Sequence, residues 1–171
     1  MKPGKSADFF RSPPPPGFSR ESTIRLDGDG RFWHDGEPVT HPGVARAFAS
    51  WIRRHPEDGR YILENGYDFC YLSVEDVPLF IEGVPLTRAP ESANVEAVAL
   101  RLFDGSEEPL DPEWLWVGAR DALYTRVKRR GLFARFQPRA QVALEPLLRE
   151  GESGVELEVS GVRYPIRDSV P

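Results

Sequence analysis

Apolar positions follow two periods along the chain, and the changes of period mark its elements. Residues 23–26 alternate as a short strand does, "DGDG" supplies residues that tolerate positive φ, and residues 31–34 read as the return strand of a hairpin. A second glycine turn, "HDGEPV", follows at once. "THPGVARAFASWIRRHPEDG" then predicts a helix with Thr40 as its N-cap and Pro42 in the first turn. Val44, Phe48, Trp51 and Ile52 form its apolar stripe, Arg46, Arg53 and Arg54 lie off that stripe, and Pro56 with Gly59 ends it. Three β-rich runs come next, "RYIL", "YDFCYLSV" and "PLFIEGVPL", with "ENG" and "EDVP" as the turns between them.

The second half is predicted to follow a similar order. "VEAVALRLF" reads as a strand and "WLWV" as a short strand or helix lead-in. A helical stretch is expected over 120–148, broken near Pro138, where a backbone hydrogen bond is lost. "GVELEVSGVRYPI" closes the chain as a hairpin around Ser160 and Gly161. The predicted class is therefore α+β: two related hairpin–helix–hairpin halves with antiparallel sheets. Their expected spans are 21–90 and 91–171. Residues 1–20 read as a disordered proline-rich tail, because Pro13 to Pro16 favour extended polyproline II and such composition seldom repays its ordering entropy. Phe9, Phe10 and Phe18 are the tail's docking candidates, on the body or on a protein partner.

Composition narrows the function classes. A chain of 171 residues with 40% hydrophobic content buries a real core. Its net charge of −5 argues against sequence-independent binding of duplex DNA, whose affinity comes from neutralising phosphates. No apolar run is long enough for a membrane span, and the first residues lack the apolar core of a secretory signal, so a cytoplasmic protein is expected. One cysteine, Cys70, forms neither an internal disulfide nor a zinc cluster. Set among aromatics, it reads as a small buried hydrophobe.

The acidic stretch "LDGDGRFWHDGEPV" invites comparison with a calcium loop. Counted from Asp27, the fifth position is Arg31, the sixth Phe32 and the twelfth Pro38, where oxygen ligands, glycine and glutamate belong. It reads as a hairpin. His34, His41 and His55 share no metal spacing, and no metal or cofactor is implied. Phosphate-loop, dinucleotide-binding and nucleophile-elbow motifs are absent, and no catalytic motif is recognised. In "VEDVP", either one of Glu75 and Asp76 holds a ligand hydroxyl or cation, or Asp76, before a Val-Pro turn, accepts backbone hydrogen bonds.

Charge is the strongest local signal. Between residues 120 and 139, Arg120, Arg126, Lys128, Arg129, Arg130, Arg135 and Arg139 are opposed only by Asp121, on a chain that is otherwise acidic. Such a segment either makes solvated ion pairs or attracts phosphate and carboxylate groups, for which arginine offers a matching fork. Tyr124 and Phe133 nearby would stack on a base.

Three pieces in order, "DGDGRFWHDGEPV", "VARAFASWIRRHPEDGRYIL" and "LSVEDVPLFI", resemble the uncharacterised bacterial DUF1285 family. The matching residues are Phe32, Trp33 and His34, then Asp58, Gly59 and Tyr61, then Val74, Glu75, Asp76 and Pro78. Arg120, Leu123 and Arg126 fit the later pattern, with Tyr124 in its acidic place. The resemblance implies a duplicated α+β core whose C-terminal half is loosely pleckstrin-homology-like. It also implies a nucleotide-like ligand between the halves and a signalling role, with no catalytic residues to carry over. On this expectation Arg120 and Arg126 meet phosphates, Tyr124 stacks, Glu75 or Asp76 binds a sugar, and His34 lies close by. Two alternatives stand beside it: a protein-interaction scaffold, and a hydrolase pairing His34 with Glu75 or Asp76.

Overall fold

The computed structural model describes residues 9–91, 94–127 and 131–170. The chain is mixed α+β, mostly strand, and divides into two compact units, Met1–Pro78 and Leu79–Pro171. Residues 1–8 of the expected tail and residues 128–130 of the basic segment lie outside the described residues. Among the described residues no helix is long and apolar enough to cross a membrane.

In the first unit, Arg25–Leu26 (β1), Phe32–His34 (β2) and Glu37–Pro38 (β3) form the two successive hairpins that the glycine turns predict. Asp35 and Gly36 both take positive φ, 51° and 81°, as a two-residue turn matched to strand twist requires. The Asp27 carboxylate builds the first turn. Its Oδ1 accepts the backbone N–H groups of Asp29 and Arg31 (2.9 and 2.8 Å), and its Oδ2 accepts the Trp33 indole N–H (2.8 Å). Burial pushes this carboxyl up, but the N–H donors of Arg31, Trp33 and Asp29 together outweigh it and hold it below the usual range. Because the folded value is lowered, Asp27 contributes stability above about pH 4 and loses it as pH falls through the folded value. Asp27→Ala is expected to cost about 1–2 kcal/mol at pH 7 in urea denaturation of the full chain, a cost that shrinks as pH falls through the folded value.

Helix Pro42–Trp51 (α1) starts one residue later than expected. His41, not Thr40, is the N-cap, with Nδ1 accepting the Val44 N–H at 3.4 Å. The helix also ends earlier. Ile52–Arg54 is a strand (β4), paired antiparallel with Tyr61–Glu64 (β5), which pairs in turn with Phe69–Tyr71 (β6). Ile52 is fully buried between these pairings, so burial overrode the helical period there. The helix lies on β5 through Ala45 and Ala49, whose small side chains allow close approach, while Val44 of the expected stripe is exposed. Ser73–Val74 (β7) runs parallel to β1 and completes a four-stranded sheet in the order β3-β2-β1-β7.

The second unit opens with Leu79–Gly83 (β8) and Leu86–Arg88 (β9), both of which pair with the long strand Val95–Leu102 (β10). Glu107–Pro109 (β11), Trp116–Val117 (β12), Leu123–Val127 (β13) and Leu132–Phe136 (β14) complete a sheet ordered β11-β10-β8-β14-β13-β12, with β9 also on β10. Within it β8 and β14 run parallel. The helix expected over 120–148 is therefore replaced in its first half by the β13–β14 pair, and among the described residues of that range only Pro138–Val142 (α2) is α-helical. Leu123, Tyr124, Thr125 and Val127 are all buried, so the strand is covered on both faces and shows no alternation. Leu148–Gly151 (β15), Gly154–Val159 (β16) and Val162–Pro165 (β17) form the closing antiparallel sheet, turning at Ser160 and Gly161 (φ 52° and 72°) as predicted.

Candidate functional site

The first unit contains a cavity of about 450 Å³. Helix α1 contributes Phe48 and Trp51, strands β5 and β6 contribute Leu63, Phe69 and Cys70, and the proline segment contributes Pro14, Pro15 and Phe18. The lining is mainly apolar. Its charged groups are Arg20 and Asp68, paired with each other, and Asn65 adds an amide. Arg20 donates to the Phe69 carbonyl at 2.9 Å and lies 4.3 Å from the centre of the Phe69 ring, so its guanidinium is held on one edge and one face.

Beside this wall, the β4–β5 turn gathers a polar cluster. The turn closes through His55 N–H to the Arg60 carbonyl (2.8 Å) and Gly59 N–H to the His55 carbonyl (2.9 Å). His55 is only 6% exposed, between the rings of Phe10, Phe69 and Tyr71. Its Nδ1 lies 3.3 Å from the Glu57 backbone N–H and 3.5 Å from Asp58 Oδ1. Asp58 accepts the Arg60 N–H (2.9 Å) and the Tyr71 hydroxyl (2.7 Å). The first of these bonds, then Tyr71, then the neighbouring His55, hold the Asp58 carboxyl below its usual range, and the Tyr71 hydroxyl is pushed up in return. Arg60 grips Glu21 with two bonds of 2.8 and 2.9 Å and covers the Tyr71 ring at 3.6 Å. Every charge in this cluster has a partner, so it fastens Glu21 and the segment before it to the β4–β6 sheet.

The six residues singled out in the sequence divide three and three between the units. In the first unit, both Glu75 oxygens are taken, by Arg25 Nη1 (2.7 Å) and by the Gly28 N–H (3.0 Å). Glu75 thereby ties the turn after β1 to the chain just beyond β7, while the turn role expected from the sequence was that of Asp76. Asp76 is exposed at the same turn, and exposed His34 lies 3.6 Å from Asp35. In the second unit, Arg120 is exposed in a left-handed turn (φ 62°), which Gln141 braces through bonds to the Leu123 N–H and the Asp121 carbonyl. Arg126 is exposed and lies 4.8 Å over the Trp114 ring. Tyr124, expected to stack on a base, stacks on Trp116 instead, with ring centres 5.7 Å apart and 18° between planes.

Among solved structures, a DUF1285 family protein from Silicibacter pomeroyi DSS-3 matches with a TM-score of 0.69 and 22% identity, over 97% of this chain and 90% of that one. Another from Shewanella baltica OS155 matches at 0.56 and 19%, over 73% of this chain and 91% of that one. The chain has the DUF1285 fold. No family model matches the sequence, and no curated protein does. Within this DUF1285 fold, the cavity residues were missed in the sequence because residues 14–20, 48–51 and 63–70 meet only after folding. One signal was present: Phe9, Phe10 and Phe18 are more aromatics than a solvated tail needs. Of these, Phe10 packs on His55 and Phe69, and Phe18 lines the cavity while 74% exposed. Arg11 and Arg20 of the same segment pair with Glu57 and Asp68.

Proposed function

We propose that the chain is a ligand-binding protein with a regulatory role, and that the first unit's cavity is its site. The cavity itself supports this reading: its volume falls within the range of small-molecule sites, and aromatic walls from α1 and β6 stand ready for a flat ring. Because Arg20 is already neutralised by Asp68, the preferred ligand has an apolar or aromatic body and little net charge at the buried end. A nucleotide-like molecule, the class implied by the family resemblance, would enter by its base and leave its phosphates at the rim. In the same proposal, the seven-stranded sheet and α2 form the pleckstrin-like element of a duplicated core.

A second reading keeps the anionic ligand on the second unit. It is favoured by Arg126, whose apolar face rests on Trp114. Thermal-shift titration with nucleosides, nucleotides and free heteroaromatic bases separates the two. A ligand at a hundred times its Kd adds about 2.7 kcal/mol, a rise of several degrees in Tm. For the cavity, Cys70→Phe is expected to abolish the rise and Arg126→Ala to leave it intact. The reverse pattern, or no rise with any of these compounds, ends the first reading.

A further inference from the structure

We propose that residues 10–18 form a strap that gates the cavity, opening at its N-terminal latch and turning about Gly17. This rests on the cavity being a binding site and adds how access to it is controlled. The strap's two ends are held very differently. Beyond its C-terminal end, Arg20 is locked: its carbonyl accepts the Tyr71 N–H at 2.7 Å, and its guanidinium is bound to the Phe69 carbonyl and to Asp68. Ser22 adds a bond of 2.6 Å to the Tyr71 carbonyl. This end is in effect an extension of strand β6.

The N-terminal end is a latch. Phe10 lies edge-on to His55 and tilted against Phe69, each at 5.5 Å, and Arg11 pairs with Glu57 at 2.8 Å. That ion pair is exposed on both sides, where such pairs contribute little. Between latch and anchor, Pro13 to Pro16 have no backbone N–H with which to bond to the body, and their rings keep the segment stiff. One turn bond, from the Phe18 N–H to the Pro15 carbonyl (3.0 Å), follows the rod. Gly17 lies inside that turn at φ +83°, with open space around its Cα, a conformation most other residues resist. A stiff rod, a glycine pivot, a side-chain latch and a backbone-bonded anchor make up a gate. Its inner side, Pro14, Pro15 and Phe18, is cavity wall.

Cys70 allows the gate to be tested without any ligand, because it lines the cavity and is the chain's one cysteine. The full chain and the double variant Phe10→Ala/Arg11→Ala are labelled with a small reagent, methyl methanethiosulfonate, and with bulky fluorescein maleimide. The small reagent reports thiol reactivity and the bulky one reports the opening. The variant is expected to label roughly ten-fold faster with the maleimide and to change less than about two-fold with the small reagent. Equal acceleration of both reagents means general loosening, and no acceleration means no gate; either result overturns the strap. Amide hydrogen exchange of the unmodified chain provides a second readout, with the Phe18 N–H expected to exchange well before the Tyr71 N–H. Similar rates at the two positions overturn the pivot. A gate that opens over a cavity binding none of the compounds titrated above leaves the strap standing and removes the ligand reading.

Discussion

Tyr124→Ala is expected to lower stability by about 3–5 kcal/mol in guanidinium denaturation, the loss typical of removing a large buried ring. The ring is 4% exposed. It is stacked on Trp116, its cross-strand neighbour, which meets Phe133 edge-on at 5.3 Å. Gly118 makes room for it: a Cβ there would lie 2.5 Å from Tyr124 Cε2. Gly118→Ala alone should therefore cost about 1–3 kcal/mol through overpacking. The two losses should not add, because removing the ring clears the space the methyl needs. In the Tyr124→Ala background, Gly118→Ala is expected to be nearly neutral. A Tyr124→Ala loss below about 1 kcal/mol would mean the ring is not a core element, and would restore the stacking role expected from the sequence.

That contrast shows how much of the molecule was legible before folding. Hairpins were legible because their signals are local: Asp35-Gly36 and Ser160-Gly161 adopt positive φ whatever surrounds them. The helix was legible in kind but not in extent, since Ile52 fits the apolar stripe and the β4–β5 pairing equally well. The basic segment was misread for a different reason. Arg120, Arg126 and Arg135 were expected on one charged helical stretch, but they occupy a turn and two paired strands. Arg135 is itself buried, 5.0 Å over the Phe80 ring. Burial of β13 and β14 on both faces erased the alternation that would have marked them as strands. The candidate cavity was illegible for a third reason: its walls come from three distant segments, and sequence spacing holds no record of such a meeting. Glu75 was illegible for the same reason: the turn role was expected of Asp76, and the partners of Glu75, Arg25 and Gly28, lie about fifty residues away.

Phe69 is where core, cavity and latch coincide, and Phe69→Ala should show all three at once. The ring is buried, contacts Phe10, His55 and Tyr71, and carries the Arg20 guanidinium on its face. Its removal is expected to cost about 3–5 kcal/mol in denaturation followed by circular dichroism. Bulky-reagent labelling of Cys70 should also accelerate, because Phe10 loses an aromatic support. Phe10→Ala provides the comparison. It should accelerate labelling by a similar factor at a smaller cost in stability, since its ring makes fewer contacts and belongs to the strap. Phe69→Leu should recover most of the stability by refilling the volume, but not the face that supports Arg20, so the anchor weakens while the core holds. If Phe69→Leu labels as slowly as the unmodified chain, the Arg20–Phe69 contact does not hold the strap's fixed end. The anchor must then be assigned to the Tyr71–Arg20 backbone bond and the bonds of Arg20 and Ser22 to Asp68 and the backbone carbonyls of Phe69 and Tyr71.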